Sequence, residues 1–306
     1  MLRISEIKLD LDCDFHDIED AVVKTLKISK NRILKTEIFK QSVDCRKGEV
    51  RFVFTADVTV DGDEDKIIES LNNSRVTKCQ KYEYKMPQSA RKSTLPPVVA
   101  GFGPAGMFAG LILARSGHCP IIIERGRDID SRTDDVNNFW TNRILDETSN
   151  IQYGEGGAGT FSDGKLTTGI KDSRCRFVFQ EFVSHGAPED ILTNAKPHIG
   201  TDKLKETVKA IREEIISLGG TILFETQLTN IIVANSFIHG VTVKDKYGKE
   251  KDIETDALIL SIGHSARDTI EMLYGKGINM MQKPFSVGAR IEHPQEHINS
   301  VQYGDF

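Results

Sequence analysis

A glycine-rich turn between an apolar strand and an apolar-faced helix constrains this sequence more than any other feature. The stretch PVVAGFGPAGMFAGLILARSGHCPIIIERG begins at Pro97 and contains Gly101, Gly103 and Gly106 in a GxGxxG arrangement. Gly101 permits the tight turn, and Gly103 leaves room for a pyrophosphate against the backbone. Gly106 and Gly110 let the helix lie close to the strands. The stretch predicts an α/β fold with a Rossmann-type parallel sheet and a dinucleotide site; a purely structural tight turn is the alternative.

The phosphates and the ribose of such a dinucleotide have predicted contacts on either side of the turn. The helix begins near Pro104, so free N–H groups near Ala105 and Gly106 face the phosphates at the positive end of the helix dipole. Glu124 ends the second strand about 20 residues further on, where a carboxylate can accept from ribose hydroxyls, and Arg125 follows it. An acid at this place disfavours a 2′-phosphate, so FAD or NAD is expected in the site rather than NADP.

Two further glycine loops occur downstream. One is GEGGAGTFSDGK, residues 154–165, and the other follows the apolar strand ALILSI. Backbone loops at the ends of successive strands can wrap a long, bent cofactor, whereas flexible surface loops are the plainer interpretation. No second GxGxxG occurs between residues 165 and 255, so the Gly101 site is expected to hold the cofactor that stays bound. The residues of these loops predicted to contact the cofactor are Gly156, Gly157, Ala158, Gly159, Thr160, Ser162 and Gly263.

The first part of the chain has the pattern of a separate module. Strands are predicted in ISEIKLDL and at residues 33–43, 50–60 and 79–84, and helices at residues 17–28, with Asp17 as the cap, and 64–71. The order β-α-β-β-α-β indicates a small α+β ferredoxin-like domain over residues 1–88. Residues 89–97, which end in two prolines, are predicted to link it to a domain over residues 98–306.

Five stretches carry a resemblance to a known family: IIIERG, NIQYGEGGAGTFSDGKLTT, KPHIGTD, SIGHSARDT and KPFSVGARIEHPQ. They resemble the bacterial and archaeal family of uncharacterised FAD-dependent, or NAD-utilising, dehydrogenases, a branch of the glutathione-reductase-type flavoproteins. The resemblance runs over nearly all of residues 1–306. It implies FAD in the Gly101 site, the 154–165 loop near the flavin and Gly263 in a second loop against the cofactor. In related folds the backbone near Leu228 reaches the adenine, so Leu228 is added to the predicted site.

The resemblance also implies an inserted substrate region at about residues 165–255 and a transiently bound nicotinamide nucleotide, NAD(P)H, as the electron donor. The chain ends just after the family's RIEHPQ stretch and therefore looks truncated at its C-terminus. The predicted function is an FAD-dependent oxidoreductase whose substrate and catalytic residues the sequence does not identify. An RNA- or protein-binding flavoprotein, in which FAD is structural or serves a modification reaction, is one alternative, and an inactive fragment is another.

Composition and charge bear on the compartment and on the partners. The formal net charge of −5 gives no general attraction to nucleic acid or anionic lipid. Five cysteines without a CxxC pair predict reduced thiols, and no signal peptide or long apolar run occurs, so we expect a cytoplasmic protein without a membrane segment. An RNA contact over residues 78–92 stays open through the basic side chains of Lys78, Lys81, Lys85, Arg91 and Lys92.

Two smaller motifs, an HxxEH pattern and a cysteine beside basic residues, have plainer interpretations than a functional site. His293, Glu296 and His297 match an HxxEH metal pattern, but Pro294 interrupts the helix start and little chain follows for a third ligand, so no metal is predicted. Cys175 lies beside basic residues that can lower a thiol pKa. An isolated thiol without a reactive role is the favoured interpretation of Cys175.

Overall fold

The computed structural model describes residues 1–46, 49–88, 95–162 and 164–304. The strands are β1 (Leu2–Leu9), β2 (Ile33–Asp44), β3 (Arg51–Val60), β4 (Val76–Lys78), β5 (Val98–Ala100), β6 (Ile121–Ile123), β7 (Thr221–Leu223), β8 (Thr226–Ala234), β9 (Phe237–Asp245), β10 (Glu250–Glu254) and β11 (Leu258–Leu260). The helices are α1 (Phe15–Leu26), α2 (Glu64–Leu71), α3 (Pro104–Arg115), α4 (Ile129–Asn142), α5 (Arg174–Ser184), α6 (Thr201–Ser217), α7 (Arg267–Gly275) and α8 (Gln295–Tyr303). Within these ranges no helix is both long enough and apolar enough to span a bilayer.

The N-terminal module contains one four-stranded sheet covered by two helices. The strand order is β2-β3-β1-β4, and each neighbouring pair is antiparallel. Along β3 every second residue from Phe54 to Val60 is buried, because successive side chains of a strand point to opposite faces. This apolar face meets Ile18 and Val22 of α1, which lie four residues apart on one helix face.

Two local predictions for this module are wrong. Asp14, not Asp17, is the N-cap of α1, and it accepts hydrogen bonds from the N–H groups of His16 and Asp17. Asp17 is the return partner of this capping box, since its carboxylate accepts from the Asp14 N–H at 2.9 Å. The last strand lies at β4 rather than at residues 79–84. Residues 76–78 pair with residues 2–4 of β1, and the Cys79 N–H donates to the Met1 carbonyl at 2.9 Å, whereas residues 80–84 form no strand.

A second sheet, made of parallel strands, forms the centre of the chain from residue 98 onward. Its order is β11-β5-β6-β7, and all three pairings are parallel. Val99 and Ile122 face α3 and α6, while Val98, Ala100 and Ile123 face the antiparallel sheet of β8, β9 and β10. Being covered on both faces, the strands β5 and β6 are apolar throughout.

In the region predicted as a substrate insertion, residues 165–255, the helices α5 and α6 precede the strands β7 to β10. Residues 165–173 are not helical, and α5 and α6 are separated by the segment 185–200. The stretch TILFETQLTNIIV forms two strands, because the backbone turns at Glu225, whose φ is 50°. Its first part, β7, belongs to the parallel sheet. Of the predicted linker 89–97, residues 89–94 lie outside the described residues.

Candidate functional site

The turn between β5 and α3 brings the start of a helix to the carboxyl edge of the parallel sheet. Gly101 has φ 100°, and its N–H donates to the Ile123 carbonyl at 2.8 Å. A side chain at Gly106 would overlap the Gly101 carbonyl, because α3 lies directly on the turn. Gly103 is the N-cap and Pro104 the first residue of α3. The free N–H groups and the positive dipole end of α3 therefore point beyond the sheet edge.

Glu124, at the end of β6, joins three separate backbone segments. Its side chain is buried, with 6 % exposed. Oε2 accepts from the Phe102 N–H at 2.7 Å, and Oε1 accepts from the N–H groups of Gly126 and Gly154, each at 2.9 Å. A carboxylate has about four acceptor positions, so these bonds leave room for about one further donor. The sequence predicted where Glu124 lies along the chain but not these three backbone donors.

A cavity of about 510 Å³ lies at this edge of the sheet. Its walls come from the β5–α3 turn, the end of β6, the glycine loop after α4, β8 and the loop after β11. Ligands of open parallel sheets bind at the carboxyl ends of the strands, which is where this cavity lies. The predicted residues that it brings together are Gly101, Gly103, Pro104, Ala105, Glu124, Arg125, Gly157, Ala158, Gly159, Leu228 and Gly263.

Four predicted site residues do not line the cavity. Gly106 lies beneath the turn, and Gly156 packs against Thr160 and Val208. Thr160 is fully buried, and its Oγ1 finds no hydrogen-bond partner among the described residues. Ser162 is exposed and donates to the Gly159 carbonyl at 2.8 Å. These positions indicate that Gly106, Gly156 and Thr160 support the walls from behind; cofactor contacts by any of the four stay a prediction.

Arg125 lines the cavity and contacts Asp268 and Tyr153. Its Nη2 contacts Asp268 Oδ1 at 2.8 Å, and its guanidinium lies 4.6 Å from the centre of the Tyr153 ring. The Tyr153 hydroxyl donates to the Ser265 carbonyl at 2.6 Å. Gln227 donates to the other oxygen of Asp268 at 2.6 Å. This chain of contacts holds the glycine loop after α4 against the loop that follows β11.

Arg132 is not among the residues predicted from the sequence, yet its side chain donates hydrogen bonds to several carbonyls of the glycine loop and of the residues just before it. Arg132 is fully buried on α4 and donates to the carbonyls of Asn150 at 2.9 Å and of Ile151 and Gly157 at 3.0 Å. It also donates to the Glu155 carbonyl. One signal could have found it: Arg132 occupies the helix face that Ile129 and Val136 define, where an apolar residue is expected.

Glu155 was missed as well, and its carboxylate lies in the interior beside Arg212. Oε2 accepts from the Ile129 N–H and from Arg212 Nη1, each at 2.7 Å, while Oε1 finds no partner among the described residues. Burial raises the pKa of Glu155 to about 7, because the cost of burying the charge outweighs the attraction of Arg212. Burial likewise lowers the pKa of Arg132 to about 10.

The HxxEH pattern lies at the start of the last helix. His293 precedes α8, which begins at Gln295 with Pro294 as its N-cap, and the rings of His293 and His297 are 6.0 Å apart. Across residues 1–46, 49–88, 95–162 and 164–304, no group of three or more His, Cys, Asp and Glu side chains is placed to hold a metal ion.

Sequence comparison finds one family model and one curated relative. Residues 1–59 match the model described as Domain of unknown function (DUF8436). An uncharacterised protein of Clostridium beijerinckii is 44 % identical over 306 residues, which is 99 % of this chain and 56 % of that protein. The chain thus spans about half the length of the curated relative that it matches.

Comparison with solved structures finds partial likenesses. THI4 of Thermovibrio ammonificans is 16 % identical, with a TM-score of 0.41 over 60 % of this chain and 64 % of that one. Glycerol-3-phosphate dehydrogenase of Bacillus halodurans, solved with FAD, is 15 % identical, with a TM-score of 0.37 over 58 % of this chain and 36 % of that one. Bacillithiol disulfide reductase of Bacillus cereus is 13 % identical, with a TM-score of 0.31 over 54 % and 39 %. At TM-scores this low the likeness carries no conclusion about this chain.

Proposed function

We propose that the cavity at the Gly101 turn binds FAD and that the chain is part of an FAD-dependent oxidoreductase. One observation supports this most strongly. The N-terminus of α3, the Glu124 carboxylate, the glycines 157 and 159 and the Gly263 loop meet at a single cavity, although they lie far apart in the sequence. Such a combination of a helix N-terminus, an acid and backbone-lined walls suits a molecule with a pyrophosphate, a ribose and a flat ring system.

The close approach of two glycines supports the fit to FAD. A Cβ on Gly157 would lie 3.0 Å from Gly103 Cα and 3.1 Å from Pro104 Cδ, so the glycine loop passes close to the β5–α3 turn at this wall. In the proposed site the N–H groups at the start of α3 hold the phosphates, and Glu124 accepts from the ribose. The side chain of Leu228, 4 % exposed, lies beside the proposed adenine position, and the loops at residues 157–159 and at Gly263 lie beside the proposed flavin position.

FAD, when bound, supplies hydride and electron transfer, and the chain supplies position and charge. The start of α3 presents free N–H donors to the cavity, and Glu124 presents a carboxylate beside them. We also propose a nicotinamide nucleotide as the transient reductant, because the sequence contains no second GxGxxG between residues 165 and 255. No described side chain is assigned as a general acid or base.

The first test is the absorbance spectrum of the purified chain together with a variant of the turn. Gly103→Val fills the space that the pyrophosphate needs, so we expect a folded protein that has lost its yellow colour and its flavin. Gly288→Val is the matched control, because a Cβ there meets nothing within 4 Å. Flavin at unchanged occupancy in Gly103→Val would remove the turn from the site. A chain that takes up no FAD even when it is supplied in excess would contradict the proposed function as a whole.

The alternative of an RNA-binding flavoprotein gains no support from the described part of the basic stretch. Lys78 pairs with Asp65 at 2.7 Å, and Lys81 lies 3.9 Å from Glu37, so two of these charges are already balanced. Arg91 and Lys92 lie outside the described residues.

For the N-terminal module we propose the ferredoxin-like fold and the boundary near residue 88. The β-α-β-β-α-β order and the sheet order β2-β3-β1-β4 support this assignment.

A further inference from the structure

A second cavity lies between the N-terminal module and the α5 region, and its lining shares no residue with that of the cavity at the Gly101 turn. Its volume is about 920 Å³. Residues 37–40 of β2 and the extended segment 80–85 form one side. Residues 166–168, α5 and the segment 191–197 form the other.

Backbone and ring contacts hold the two sides at a fixed separation. The N–H of Gln41 in β2 donates to the Thr193 carbonyl at 2.7 Å, and the Ala195 N–H donates to the Gln41 carbonyl at 2.8 Å. The ring of Tyr84, in the segment 80–85, also stacks on Phe177 of α5 at 3.9 Å. The cavity is therefore built by specific contacts between distant parts of the chain.

The ring of Phe39, which lines the cavity, lies near two guanidinium groups. The Arg3 guanidinium is 3.4 Å from the centre of the Phe39 ring, and that of Arg176 is 5.8 Å from it. Arg3 is neutralised by a bidentate pair with Asp57, with bonds of 2.7 and 2.8 Å. Asp57 thus balances the positive charge of Arg3. The next question is which groups balance the charge of Arg176.

Arg176 has no ion-pair partner among the described residues. One of its nitrogens, Nη1, donates to the Leu192 carbonyl. The side chain is half-buried, and burial lowers the pKa of its guanidinium. The carboxylates of Asp57 and Glu37 attract this charge without forming an ion pair with it, because Asp57 is paired with Arg3 and Glu37 with Lys35. A bound anion would give the partly buried guanidinium a direct partner. Within the described residues its Nε and Nη2 atoms form no hydrogen bond, and this edge of a guanidinium has the geometry that suits a carboxylate.

Apolar side chains complete the lining around this cation. Ile38, Leu166, Phe179, Ile191 and Pro197 all line the cavity, together with the Phe39 ring. Exposed lysines and four carboxylates also line the cavity. Three of the carboxylates are already paired: Asp57 with Arg3, Glu37 with Lys35 and Asp172 with Arg174. An anion with an apolar body matches both the Arg176 cation and the apolar lining, whereas a strongly hydrated inorganic ion matches the charge alone.

We propose that this second cavity binds a small aromatic carboxylic acid, whose carboxylate pairs with Arg176 and whose ring packs beside Phe39. The site lies outside the proposed FAD cavity and goes beyond the proposed function, on which it does not depend. FAD uptake and acid binding are separate measurements, so failure of one is distinguishable from failure of the other.

The test uses 3-phenylpropionate as the probe, with isothermal titration calorimetry of the full chain. We expect the acid to bind at least about tenfold more tightly than 3-phenylpropionamide, which lacks the charge. We expect the same margin over acetate, which lacks the ring. Cys175 lines the same cavity, so its alkylation by iodoacetamide, followed by peptide mass spectrometry, should slow when the acid is bound. The exposed thiol of Cys119 is the internal reference.

Arg176→Gln removes the charge, and we expect it to weaken the acid by about 10- to 100-fold while the amide is unaffected. Arg75→Gln, at an exposed arginine that pairs with Glu6 elsewhere on the N-terminal module, is the matched control. Equal affinity for the acid and the amide, unchanged affinity in Arg176→Gln, or no protection of Cys175 overturns the proposal. Should Arg176→Gln fail to fold, the comparison of acid with amide on the unaltered chain decides it.

Discussion

Single residues of the candidate site have two functions, and Glu124 shows both. The sequence analysis assigns it to the ribose of a dinucleotide. The structure adds that its carboxylate already accepts three backbone hydrogen bonds, from Phe102, Gly126 and Gly154. A charge-assisted bond of this kind is stronger than a neutral one, so Glu124 also stabilises the loops around the cavity.

We therefore predict that Glu124→Gln lowers stability even without a cofactor. An amide has one accepting oxygen, and its NH₂ group would face a backbone N–H donor, so at least one buried donor loses its acceptor. The expected loss is about 1–3 kcal/mol in the free energy of unfolding, measured by urea denaturation of the cofactor-free chain. Glu147→Gln, at an exposed position on the chain before the glycine loop, is the control. Equal unfolding curves for Glu124→Gln and the unaltered chain would show that the three donors have other acceptors.

At the scale of elements, the glycine loop after α4 is held between two neighbours. On its buried side, Arg132 of α4 donates hydrogen bonds to carbonyls of the glycine loop. On its other side, the glycine loop lies against the β5–α3 turn. Gly157 lies at this contact with φ 68°, a backbone region that L side chains rarely adopt. Two features therefore require a glycine at position 157: its positive φ and the close approach of Gly103.

We predict that Gly157→Val displaces this loop and disturbs the flavin environment. The strain at a positive φ costs about 1–3 kcal/mol, and the new side chain would press on Gly103 and Pro104. The thermal unfolding midpoint should fall, and in the presence of FAD the flavin absorbance and its reduction by NADH or dithionite should change. Gly169→Val is the control, because a Cβ there meets nothing within 4 Å and Gly169 does not line the cavity. If Gly157→Val and Gly169→Val behave alike, the contact between Gly157 and Gly103 is not needed.

At the scale of the whole molecule, the buried carboxyl of Glu155 links stability to pH. Its pKa is raised to about 7 in the folded chain, so between about pH 4.5 and pH 7 the folded state holds a proton that the unfolded chain has released. The contribution of this group to the free energy of unfolding is therefore greatest below about pH 4.5 and is lost as the pH rises to about 7.

The predicted size of this effect is about 1–3 kcal/mol between pH 4.5 and pH 7. Glu155→Gln cannot release a proton, so its free energy of unfolding should fall less than that of the unaltered chain over this range. Urea denaturation at several pH values measures the difference. Glu213→Gln, an exposed position on the same helix as Arg212, is the control. Parallel pH profiles for Glu155→Gln and the unaltered chain would exclude Glu155 as the group responsible.

The sequence by itself determined the features that depend on near neighbours in the chain. The strand–turn–helix around Gly101, the position of Glu124 after β6, and the order of elements in the N-terminal module follow from glycine positions and from apolar periodicity. The limits of this local information are visible at β4 and at the cap of α1, where a pairing partner and a neighbouring carboxylate shifted the boundary.

Only the tertiary structure decided which distant residues meet. The contacts of Arg132 with residues 150–157, the burial of Glu155 beside Arg212 and the hydrogen bond from Arg176 to the Leu192 carbonyl all join segments that no periodicity connects. The physical reason is that burial and charge pairing depend on the packing of whole elements against one another, whereas turns, caps and strand alternation depend on the backbone within a few residues.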